Sequence, residues 1–168
     1  MWYFTGKGDT GETSLFDGSR VKKDHPVLDL LGAIDEVNSF IGLCRSKIKN
    51  DDLDVDLLFL QSSLSKLMGM IAGASETSLF DFDLSNLLEW LEAKILLYSE
   101  EINNPKEFTF PGASEPGAAF DICRTVSRRA ERLAVKISVE NDYAMDDRIL
   151  MVLNRLSSYF YILRLSFE

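Results

Sequence analysis

Five stretches of this chain set apolar residues three and four apart, and no stretch of any length alternates as a strand does. That period constrains the fold more than any other feature. Each stretch has one face to bury, and packing helix against helix is the way to bury it. The first helix is expected over about 26–49, through Val27, Leu30, Leu31, Ile34, Val37, Ile41 and Cys44. Pro26 stands before it, where a helix's first turn accepts proline. The second spans about 53–73 through Leu57, Leu60, Leu64, Leu67, Met68 and Ile71, and Gly73 with Ser75, Glu76, Thr77 and Ser78 breaks it. The third spans about 84–103, with Asp83 as N-cap and Asn103-Asn104-Pro105 as its stop. The fourth spans about 116–140 and is broken by Asn141-Asp142. The fifth spans about 145–167 and buries Ile149, Leu153, Leu156, Phe160, Leu163 and Phe167. An all-α, up-and-down five-helix bundle is the expected fold. The 168 residues form one domain, with 1–25 an irregular segment and 26–168 the bundle.

Residues 124–132 of the fourth helix hold four arginines in a chain of net charge -9. At about 100° per residue, Arg124, Arg128 and Arg132 drift along one face with Glu131 beside them. Ile122, Val126, Ala130, Leu133 and Ile137 take roughly the opposite face and are expected in the core. Guanidinium forks match carboxylates and phosphates. The stripe reads either as an anion site or as a solvated face with i,i+4 pairs. Like charges at this spacing repel unless a partner neutralises them, which favours an anion.

The acidic balance argues against general nucleic-acid binding, so an anion site has to be local. His25 is the one histidine, which excludes Cys/His zinc clusters, His-based triads and di-iron Glu-x-x-His pairs. Cys44 and Cys123 sit in apolar helical patterns and read as buried, reduced thiols. Met1-Trp2-Tyr3-Phe4 lacks a basic n-region and a long apolar run. Neither a signal peptide nor a membrane span is expected, and the cytoplasm is the expected location.

Residues 5–18 carry four glycines among Thr, Ser and Asp, with neither a helix nor a strand period. They read either as a flexible tail or as a loop whose N–H groups and hydroxyls wrap phosphates, with Arg20, Lys22 and Lys23 following. Gly32, Asp35, Ser39 and Gly42 make a small-residue flank where a second helix or subunit can approach. Asn38 falls near the apolar face and needs a hydrogen-bond partner. Phe108-Thr109-Phe110-Pro111-Gly112 is a short extended piece and turn, either plain packing or an aromatic wall. Asn154, Ser157, Ser158 and Tyr161 flank the fifth helix and are either solvated or turned to the arginine cavity.

These motifs occur together in one order: Thr5 to Ser14, Gly32 to Ser39, Phe108 to Gly112, Arg124 to Arg132, and Asn154-Arg155-Leu156-Ser157. In that order and spacing the chain resembles the PduO-type ATP:cob(I)alamin adenosyltransferases over nearly its whole length. The resemblance implies a five-helix bundle that assembles as a homotrimer with active sites between subunits. It implies transfer of the 5′-deoxyadenosyl group of ATP to a reduced corrinoid, with release of triphosphate. Thr5, Gly6, Lys7, Gly8, Asp9, Thr10, Gly11, Thr13 and Ser14 would then wrap ATP, with Lys23 on phosphate. Arg128, Glu131, Arg132 and Asn154 would complete the nucleotide site. Arg124 would pair with Asp35 of the neighbouring subunit, and Phe108 would stand on the corrinoid side, displacing the lower cobalt ligand.

Mg²⁺ is expected on the ATP phosphates, without a protein ligand assigned. A flavoprotein reductase and an adenosylcobalamin-dependent enzyme are the implied partners. Cob(I)alamin is itself the nucleophile, which agrees with the lack of an activated Ser or Cys. The chain departs from the family pattern at Asp121, where many relatives have histidine, and at Ser158, where many have aspartate. It carries one glycine in the turn after Pro111, and it stops at Glu168 where some relatives continue.

Overall fold

The computed structural model describes residues 6–75, 82–100, 102, 105–140 and 145–168. Thr5 of the expected nucleotide loop lies outside the described residues, as do Glu76-Thr77-Ser78, Asn103-Asn104 and Asn141-Asp142 of the expected breaks. Among the described residues five helices form: α1 (Pro26–Arg45), α2 (Asp51–Ile71), α3 (Leu84–Ser99), α4 (Glu115–Glu140) and α5 (Asp147–Ser166).

Helix starts follow local chemistry, because the first N–H groups need acceptors outside the helix. Pro26 occupies the first turn of α1, and His25 Nδ1 accepts from the Val27 N–H at 3.3 Å. Asn50 Oδ1 accepts from Leu53 N–H at 3.0 Å, so α2 opens at Asp51 rather than 53. Asp83 caps α3 through the Ser85 N–H at 2.8 Å, and Asp146 caps α5 through the Arg148 N–H at 2.9 Å. The first helix stops at Arg45, short of 49, because the chain has to turn at Ser46–Lys47 before Asn50 starts α2.

α4 lies between α1 and α5, with α2 outside α1 and α3 outside α5. Trp90 of α3 packs on Phe59 of α2 with ring centroids 4.8 Å apart. Lys94 and Tyr98 both reach Asp56 of α2, at 2.6 and 3.2 Å. The simple up-and-down order fails around α3, which packs chiefly on α5 rather than on its sequence neighbours α2 and α4. The core runs through Leu30, Ile34, Leu57, Leu60, Leu91, Phe120, Tyr159 and Phe160. α4 contributes Ala119, Cys123, Val126, Ala130, Ala134 and Ile137. Ile122, expected in that row, is 39% exposed, because it stands about 100° from Cys123 and outside the arc that α1 and α5 cover. Leu133 is only partly buried.

The glycine-rich segment holds a hairpin that the sequence pattern did not indicate. β1 (Glu12–Ser14) pairs antiparallel with β2 (Arg20–Lys22), Thr13 opposite Val21. Three-residue strands are too short for alternation to register. Arg20 meets Glu12 across the pair at 3.0 Å. The hairpin docks on the end of α2, where Phe16 N–H donates to the Ala72 carbonyl at 2.9 Å. Gly73 (φ 81°) permits this approach, since a Cβ there would lie 2.9 Å from Asp17 Cβ. Among the described residues, no helix is long and apolar enough to cross a membrane.

Candidate active site

α4 turns Arg124 and Arg128 into a cleft of about 280 Å³, completed by Ile95 of α3 and Ser157, Ser158, Tyr161 and Ile162 of α5. Of the polar residues flanking the fifth helix, Ser157, Ser158 and Tyr161 therefore face the arginine cavity, while Asn154 bonds Glu131 instead. Arg124 is half-buried and braced: Nε donates to Asp121 Oδ1 at 2.7 Å and Nη2 to Oδ2 at 3.3 Å. Arg128 and Arg132 are exposed, and among the described residues no carboxylate pairs with either. Arg129 points the other way and pairs with Glu36 of α1. Glu131 accepts from Asn154 Nδ2 at 2.8 Å, and Asn154 Oδ1 accepts from Arg155 Nη1 at 2.9 Å. Arg155 Nε continues to Glu92 of α3 at 3.0 Å. The arrangement leaves Arg128 and Arg132 available to an anion while Arg124, Arg129 and Glu131 are held in place.

The other expected residues lie elsewhere on the chain. Gly6 to Ser14 form turns and β1, tied back by Lys23 N–H donating to the Gly11 carbonyl at 2.8 Å. Lys23 Nζ lies 3.2 Å from where a Cβ on Gly8 would stand, so the ammonium sits directly over the glycine backbone. Lys7, Asp9 and Thr10 are exposed there, while Thr13 is half-buried. Asp35 is exposed and lines a groove of about 440 Å³ between α1 and α2, with Phe16, Gly32, Ser65 and Gly69. No ion pair joins Asp35 to Arg124 within the chain, where Arg124 takes Asp121 instead. Asn38 Nδ2 reaches Ser65 Oγ at 3.5 Å, while its Oδ1 is buried without a partner among the described residues.

Phe108 and Phe110 are 83% and 82% exposed and pack edge-on, with centroids 5.3 Å apart. They do not fill the core. Between them, Thr109 Oγ1 accepts from Arg164 Nη2 at 2.9 Å. Arg164 is 3% exposed, and Glu168 holds its fork at 2.8 and 3.1 Å. Hydrogen bonding to Glu168, chiefly, lifts the Arg164 guanidinium above its usual range, so it is permanently charged. Sequence reasoning assigned no role to Arg164, Glu168, Arg155 or Glu92. Arg164 was detectable as a cation beside the buried Phe160 and Leu163 positions, with an acid four residues on.

Cys44 and Cys123 are buried, free and 3.6 Å apart at sulfur. Contact with Cys44, then burial, pushes the Cys123 thiol well above its usual range and makes it a poor nucleophile. Among the described residues no cluster of three or more His, Cys, Asp or Glu side chains could hold a metal ion.

A helical bundle with a cationic cleft, and with no activated nucleophile among the described residues, defines a class of proteins suited to binding an anionic ligand. Comparison with known proteins narrows that class. The chain belongs to the cobalamin adenosyltransferase family, whose model matches residues 3–166, and it is accordingly a transferase. It is 36% identical to the corrinoid adenosyltransferase of Bacillus subtilis, over 96% of this chain and 83% of that protein. It is also 36% identical to the cobalamin adenosyltransferase of Cupriavidus metallidurans, over 95% of this chain and 84% of that protein. Among solved structures, a variant PduO-type ATP:corrinoid adenosyltransferase from Lactobacillus reuteri, complexed with cobalamin and ATP, superposes with a TM-score of 0.85. That match has 28% identity and covers 96% of this chain and 91% of the other. A second variant of the same enzyme, complexed with ATP, gives a TM-score of 0.86 at 30% identity, covering 97% of this chain and 92% of the other.

Proposed function

We propose that this chain transfers the 5′-deoxyadenosyl group of ATP to cob(I)alamin. Cobalt attacks the ribose C5′, the C5′–O bond breaks, and triphosphate leaves with the bonding electron pair. The observation that carries this reading is Arg124 and Arg128 facing one cleft, the first braced by Asp121 and the second without a carboxylate partner among the described residues. Preorganised cations stabilise a leaving polyphosphate without reorganising during the reaction. Lys23 and the N–H groups of Gly6 to Gly11, with Thr5, Thr13 and Ser14, take the nucleotide phosphates, while Arg128, Glu131, Arg132 and Asn154 complete the site. Mg²⁺ would enter on the phosphates and offset their charge. Phe108 offers an exposed ring to the corrinoid and keeps water from the lower face of the metal.

These groups lie partly on the hairpin and α1, partly on α4 and α5, which supports a site assembled between neighbouring copies of a homotrimer. There Asp35 of the partner subunit pairs with Arg124. Residues 1–168 act as one unit, with 1–25 the nucleotide loop and 26–168 the bundle. The test mixes purified protein with chemically reduced cob(I)alamin and Mg-ATP under anoxia. Loss of the cob(I)alamin band, a light-sensitive alkylcobalamin and stoichiometric triphosphate are expected. ATP binding with an unchanged cobalt spectrum would replace the transferase with a nucleotide-binding regulator or cofactor chaperone.

A further inference from the structure

Three elements meet at one buried guanidinium. Arg164 projects from α5, and its Nε and Nη2 hold both oxygens of Glu168. Nη2 also donates to Thr109 Oγ1 at 2.9 Å, in the connection before α4. Nη1 reaches Asp121 Oδ1 at 3.4 Å, and that same oxygen accepts from Arg124 Nε at 2.7 Å. The cluster holds two cations and two carboxylates, so its charges balance, as a buried guanidinium requires.

The Thr109 bond stands out because little else holds its turn. Phe108 and Phe110 are exposed, so core burial does not anchor them. Among the described residues, the Thr109–Arg164 bond is the one hydrogen bond that joins residues 106–112 to the helices. Asp121 completes the link toward the cleft. Where this chain has Asp121, an acid is available to share between Arg124 and Arg164, and a neutral imidazole would not balance both cations.

We infer that Arg164 is a positioning residue, tying the Phe108–Phe110 turn to the Asp121–Arg124 pair so that one fixed point sets both the corrinoid side and the nucleotide side of the site. This deepens the adenosyltransferase reading and rests on it. A plain structural stitch would affect stability alone, while a positioning tie affects the two substrates separately.

The experiment compares Thr109→Val, which keeps the shape and loses the acceptor, with Thr109→Ser, which keeps the acceptor. Chymotrypsin reads the turn without any turnover. It cleaves after Phe108, whereas Pro111 protects the bond after Phe110. Rates are normalised to the unfolded chain of each variant. In Thr109→Val, cleavage after Phe108 and the KM for corrinoid each rise about tenfold, as loss of a hydrogen bond to a charged group implies. The KM for ATP stays within about twofold of wild type, because Arg124 keeps Asp121. Thr109→Ser restores wild-type values in both assays. Arg164→Lys keeps the charge, loses the fork and raises both KM values. Wild-type cleavage and wild-type corrinoid KM in Thr109→Val would overturn the inference. If wild-type protein forms no alkylcobalamin, the proposed activity fails instead; the cleavage rates still decide whether the tie exists, and an unchanged rate overturns it.

Discussion

Arg124 and Arg128 differ in their surroundings although both face one cleft. Arg124 is held by Asp121, while Arg128 is exposed and has no carboxylate partner among the described residues. Arg128→Ala should therefore lower kcat by about 10²–10³-fold, the usual loss when a preorganised donor is removed from a developing anion. Its melting temperature should match wild type, because the exposed side chain supports no core contact. Paired activity assays and thermal melts check both points. Phe108 presents an apolar ring to solvent, and removing it loses its edge contact with Phe110 but no core packing. Phe108→Ala should cripple adenosylation that starts from Co(II) while ATP affinity holds within about twofold. Equal losses in both measurements would count against a corrinoid-side role.

At the scale of elements, the helices are held by caps and by seams of long-range pairs. Asp146 caps α5, and Arg148 hydrogen-bonds the same carboxylate. That side-chain bond, first among its causes, holds the Asp146 carboxyl below its usual range. Its contribution is therefore present above the unfolded carboxyl value, near pH 4, and is lost as pH falls through the lower folded value. Asp146→Ala should cost about 1 kcal/mol at neutral pH, as a lost N-cap does. The gap between variant and wild type should close as pH falls below about 4. Denaturant melts across that range test it, and a gap that stays constant would remove the cap from the account. The hairpin obeys a different rule, since its strands depend on docking to α2 through Phe16 and Gly73 rather than on local pattern.

At the scale of the whole molecule, the expected site residues fall on separate parts of one chain. Arg124 and Arg128 line the α3–α4–α5 cleft, while Asp35 lines the α1–α2 groove beside the hairpin. Sites shared between neighbouring copies make a specific prediction. Asp35→Ala and Arg128→Ala, each impaired alone, should restore activity when co-expressed in one assembly. About a quarter of the sites would then receive two intact halves if mixing is random. Activity no higher than the mean of the separate variants would place each site within one subunit.

Much of this was legible in the amino-acid order, because helix period and capping are local properties of the backbone. The five helices, Pro26 at a first turn and Asp83 as a cap follow from residues within a few positions of each other. The arginine stripe and the polar flank at Ser157, Ser158 and Tyr161 were visible as faces, and the structure brings that flank to one cleft with Arg124 and Arg128. What the sequence could not determine alone is which faces meet. The exposure of Ile122, the packing of α3 on α5 and the β1–β2 pair depend on neighbours far along the chain. Arg164 is the clearest case: its partners stand 4, 43 and 55 residues away, and only the closed bundle brings them to one guanidinium. Local period says where a side chain points, but the pairing of charges across helices is decided by packing, where burial makes an unpaired charge too costly to keep.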